Sequence, residues 1–140
     1  MSQATITEIL NRLLAIHRGS FAMYLAQAAP WTRASDAPAA EAVQHLVADQ
    51  KALIERIGKA ILQQGGCPAD GEFPMDFTDM HDLSLSYLIG VAIDYQKADI
   101  RAIEQCVGAL RTAGSACPLA EEALGQAKGH LESLEELVNV

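Results

Sequence analysis

Apolar residues recur along this chain at helical spacing in four long segments, and nowhere in a convincing two-residue alternation of strand length. The pattern predicts an all-α domain. The first segment covers about 5–29 and stops at Pro30-Trp31, because proline disfavours helix in the residue before it. The second covers about 38–64 and ends at Gly65-Gly66 with Pro68 beyond. The third is expected to open near Asp79 as an N-cap, with Asp82 in the first turn, and to reach about 113 before Gly114. The fourth carries Pro118, Glu121 and Glu122 in its first turn and continues to the C-terminus.

On a helical wheel each apolar stripe has a polar residue within it. In the first segment Ile6, Leu10, Leu13, Leu14, Phe21 and Tyr24 share a face centred on His17. In the second, HLVADQKALIERI (45–57) places Gln50 amid Val43, Leu46, Val47, Leu53, Ile54, Ile57 and Ile61. The fourth has His130 among Leu119, Ala123, Ala127, Leu134 and Leu137. The third is broader, with Leu83, Ile89, Gly90, Ile93 and Ile100 beside Ser86. Burying one such group unpaired costs about 1–3 kcal/mol, so several are expected to converge and satisfy one another or a ligand.

Between the second and third segments lies CPADGEFPMDFTDM, in which Phe73, Met75 and Phe77 alternate with polar residues or proline. At about 3.3 Å per residue, an extended segment of this kind can run the length of a helical bundle. The other connections are short. One long crossover between helices 2 and 3 of a four-helix bundle is the ferritin-like connectivity.

Composition narrows the picture. A chain of 140 residues, 50% apolar and 20% charged, fits one domain over 1–140. A net charge of -8 without a basic cluster argues against nucleic acid and against anionic membrane surfaces. The N-terminus does not read as a signal peptide and YLIGVAI is too short to span a bilayer, so a cytoplasmic location is expected. Cys67, Cys106 and Cys117 form no C-x-x-C pair and read as reduced bystanders. There is no phosphate loop, nucleophile elbow or H-E-x-x-H motif, and no nucleophile beside a base, so enzymatic activity is not expected. His45 and Asp49 read as a solvated i, i+4 pair, His81-Asp82 as a helix start, and Trp31 as a plug at the bundle end.

LNRLLAIHRGSFAMY (10–24), IERIGKAILQQGGCP (54–68), DLSLSYL (82–88) and AKGHLESLEEL (127–137) resemble the four helices of the ferritin-like superfamily, bacterioferritin most closely. The resemblance covers nearly the whole chain. It implies a ferritin-like four-helix bundle, and a homo-oligomer, a dimer, by analogy. It also implies positions for a di-iron centre, and these are altered. His17 stands where the family has its first-helix Glu. Gln50-Lys-Ala-Leu53 replaces a Glu-x-x-His, Ser86 replaces the third-helix Glu, and Ala127-Lys-Gly-His130 keeps only the histidine of the last pair. Tyr24 matches a tyrosine beside such sites, and Lys51 falls where some relatives use a methionine for haem, so no haem is implied. Without bridging carboxylates ferroxidase activity is not expected.

Two readings of His17, Tyr24, Gln50, Ser86 and His130 remain. In the first they form a buried polar cluster or ligand pocket in a non-catalytic binding or interaction module, with no cofactor. In the second, His17 and His130 hold one transition-metal ion, iron, zinc or manganese, with Asp49 or Asp94 moving in as a third ligand.

Overall fold

The protein is seen in a computed structural model that describes residues 1–28, 32–71, 73–80 and 83–138. The described residues are helical, without strands: α1 (Gln3–Arg18), α2 (Phe21–Ala28), α3 (Ala37–Gln63), α4 (Leu85–Ala109) and α5 (Ala116–Val138), with short 3-10 turns at Ala34–Asp36 and Met75–Met80. None is long and apolar enough to cross a membrane. Pro30, Trp31, His81 and Asp82 lie outside the described residues.

The first predicted helix is two helices. Gly19 closes α1 through its N–H to the Ala15 carbonyl, with the Ser20 N–H on the His17 carbonyl, and Ser20 then starts α2 by accepting the Met23 N–H at its hydroxyl. A side-chain oxygen taking an orphan amide is what defines an N-cap. α3 contains Pro38 in its first turn and ends as expected, with Gly65 at φ 80°, a left-handed conformation that glycine adopts without strain. α4 departs from expectation. Asp79 lies within the Met75–Met80 turn, and the cap is Ser84, whose hydroxyl accepts the Tyr87 N–H. Leu83 and Gly90, expected in the stripe, are exposed; Leu88, Ile89, Ala92, Ile93, Ile100 and Ile103 carry it.

α1 packs on α3 and α4, and α5 packs on the same two helices, so α1 and α5 lie on one diagonal of the bundle and α3 and α4 on the other. Leu10 of α1 and Ala120 of α5 share an apolar cluster with Ile57 of α3 and Ile103 of α4, whereas Phe21 of α2 and Leu134 of α5 share another with Val43 of α3 and Leu88 of α4, which sets each of these neighbouring pairs antiparallel. α3 and α4 are therefore parallel, and the connection between them must return along the bundle. It does so against α1 and α2 in chain order. Asn11 bonds the backbone of Cys67 and Ala69, Arg18 donates to the Ala69 carbonyl, Phe73 meets Tyr24 edge-on at 5.4 Å, and Phe77 sits between Phe21 and Tyr95. Only its first part is extended; Met75, in the 3-10 turn, is exposed.

The core is divided. One apolar cluster holds Leu10, Leu13 and Leu14 of α1, Leu53, Ile57 and Ile61 of α3, Ile100 and Ile103 of α4, and Ala120 to Ala127 of α5. The other holds Phe21, Tyr24 and Leu25 of α2, Val43, Leu46 and Val47 of α3, Leu85, Leu88, Ile89 and Ile93 of α4, with Phe77 and Leu134. The residues left between them are polar.

Candidate functional site

On every long helix the step from one apolar cluster to the other is made by a polar residue. His17 and Ser20 stand between Leu14 and Phe21, Gln50 between Val47 and Leu53, Gln96 and Asp99 between Ile93 and Ile100, and Gln126 and His130 near Ala127 and Leu134. The layer encloses a cavity of ≈ 10 Å³, about the room needed for one water. His17, Gln50, Gln96, Asp99, Gln126 and His130 line it with apolar neighbours.

Most of these groups are already engaged. His17, 2% exposed, has its Nδ1 2.8 Å from the Leu13 carbonyl. A carbonyl only accepts, so Nδ1 carries the proton, and burial lowers the ring's pKa below its usual value. The imidazole is neutral at pH 7, with its lone pair on Nε2. Ser20 donates to Gln50 Oε1 at 2.6 Å, the bond that the break after α1 makes possible. Gln96 donates to the Ala127 carbonyl at 3.0 Å and ties α4 to α5. His130 turns its Nε2 outward to Asp49, at 2.7 Å. Gln126 Oε1 is buried without a hydrogen-bond partner. Burial pushes the Asp99 carboxyl up to about 7.

The expected residues therefore separate. His17, Gln50 and His130 do meet around the cavity. Tyr24 is buried, but among Phe21, Phe73 and Phe77, as part of the second apolar cluster. Ser86 is a correction: it is exposed near the start of α4, its hydroxyl 3.3 Å from that of Ser84. Because α4 starts at Leu85, the level of the polar layer is reached some three turns further on, at Gln96 and Asp99. Of the proposed third ligands, Asp49 is taken by His130, and Asp94 is exposed and absent from the cavity lining. Ser20, Gln96, Asp99 and Gln126 were missed by the sequence reading. Their signals were the Gly19-Ser20 pair, a polar i, i+3 pair between isoleucines, and a glutamine four residues before His130.

One carboxyl, two imidazoles and three amides do not fit a dinuclear iron centre, which needs several carboxylates to bridge and neutralise two ions. Among the described residues, no three His, Cys, Asp or Glu side chains come together as a metal-holding group. Comparison with known proteins adds no relative: no family model matches the chain, and neither the curated proteins nor the solved structures contain a match.

Proposed function

We propose that this chain is a ferritin-like bundle in which the central metal-holding layer has given way to a charge-poor, self-bonded polar layer, and that it acts as a non-catalytic binding or interaction module. The observation that carries this reading is the state of the layer. Gln50 is held by Ser20, Gln96 by a backbone carbonyl and His130 by Asp49, around space for one water. The ferritin-like part is supported by the helix neighbours and by the crossover along α1 and α2.

The second reading, a single transition-metal ion between His17 and His130, is favoured by the lone pair of His17 Nε2 at a cavity that both rings line. Metal analysis of untagged protein, compared with the His17→Ala/His130→Ala variant, decides between them. The module reading expects far less than one metal per chain after incubation with iron, zinc or manganese, the same in both proteins. One metal per chain, lost in the variant, would replace it with the mononuclear site.

A further inference from the structure

Outside the polar layer, a groove of ≈ 470 Å³ runs between α2, α3 and the start of α4, within the range of about 300–1,000 Å³ typical of small-ligand pockets. Its floor is apolar and well packed: Leu25, Val43, Val47 and Leu85 are each less than a tenth exposed. Ala40 and Ala48 line it two turns apart on α3, and their short side chains leave the depression open. The lining on α3 extends from Ala40 to Lys51, about 16 Å along the axis.

The polar groups are few and unbalanced in charge. Thr32 and Gln44 are neutral, and among the described residues Lys51 is the one charged member of the lining, with no carboxylate facing it there. Arg12, Arg56 and Lys59 pair with Glu8, Glu122 and Glu55, whereas Lys51 makes no ion pair among the described residues. In a chain of net charge -8, an ammonium that has no ion pair among the described residues, at the end of an apolar trough, is complementary to a ligand with an apolar body and one anionic head. Among the described residues, the lining offers no His, Cys or Met to serve as an axial ligand for haem iron.

We propose that this groove binds a medium-chain fatty acid, its alkyl chain lying along Val43 and Val47 and its carboxylate at Lys51. The proposal deepens the binding-module reading and rests on it by naming the ligand class. The polar layer takes no part, so metal loading and fatty-acid binding succeed or fail separately.

Calorimetric titration of the full chain with hexanoate, octanoate, decanoate and decanol tests it. The expected result is one saturable site whose affinity rises about fourfold per added methylene, from about 0.8 kcal/mol per buried CH2. Decanol should bind about tenfold more weakly than decanoate, as loss of a charge-assisted hydrogen bond implies. Lys51→Gln should bring decanoate down to the decanol level and leave decanol unchanged. Ala48→Phe, at an exposed position, should block both ligands while circular dichroism and Tm stay near those of the parent. Equal binding of decanoate and decanol, no effect of Lys51→Gln, or undiminished binding to Ala48→Phe would each overturn the proposal. So would a protein that binds no decanoate but sediments as a dimer made monomeric by Ala48→Phe, because the groove would then be covered by a second copy.

Discussion

At the residue scale, two titrating groups of the polar layer pull stability in opposite directions. Folded Asp99 keeps its proton up to about 7, whereas the unfolded chain releases it near 3.8. Its contribution is therefore complete below about 4 and is lost as pH rises through about 7. His17 is the reverse: its lowered pKa gives a contribution that is present above 6.5 and lost as pH falls below that value. Just below 6.5 the two slopes oppose each other. Asp99→Asn, which keeps the shape and removes the charge, should raise stability at pH 8 by roughly 1–3 kcal/mol and change it little at pH 4. Urea unfolding at both pH values reads this directly, and an equal effect at the two would contradict the assignment. The variant should also leave the His17 slope standing alone, so that stability falls more steeply as pH drops below 6.5.

At the element scale, the break between α1 and α2 joins local capping to the site. Ser20 accepts the Met23 N–H and donates to Gln50, so one hydroxyl starts a helix and satisfies an amide oxygen halfway along α3. Ser20→Ala should cost about 1–3 kcal/mol, from the lost cap and the stranded Gln50 oxygen together. The Gln50→Leu variant provides the control. If the two groups act as a pair, Ser20→Ala should be milder by about 1 kcal/mol in that background, a difference that a double-mutant cycle measures. The continuous wheel over 5–29 concealed this break because its apolar spacing resumes almost in phase after Gly19. The start of α4 was obscured differently. Asp79 and Ser84 are both good caps, and local sequence does not say that Asp79 is occupied in the 3-10 turn that holds Phe77.

At the scale of the whole molecule, the crossover holds the two diagonal helices in parallel, and Phe77 is its anchor. The ring is 2% exposed, with centroids 5.0 Å from Phe21 and 4.9 Å from Tyr95, so it joins the connection to α2 and α4 at once. Phe77→Ala should lower stability by about 3–5 kcal/mol in urea unfolding. Against a typical total of about 5–15 kcal/mol, that is a large share. Met75, in the same turn but exposed, should tolerate alanine within about 0.5 kcal/mol, which makes it the matched control. The pair tests whether the crossover is part of the core or a loop laid over it.

The all-helical class, the approximate span of α3 and α5, the long connection between α3 and α4, and the inward position of His17 and Gln50 were legible in the chain alone. These follow from spacing along one helix, which depends only on the period of the backbone and on local stop signals at Gly65 and Pro68 and the start signal at Pro118. Tertiary structure decided the level at which the helices meet. That level depends on where α4 starts and on how far the crossover travels, and neither is written in the local pattern. Hence Gln96 and Asp99 took the place expected of Ser86, Tyr24 went to the aromatic cluster, and His130 turned to Asp49. The shift of the Asp99 proton is likewise a tertiary property, because it arises from the loss of water around a carboxyl that only the assembled bundle buries.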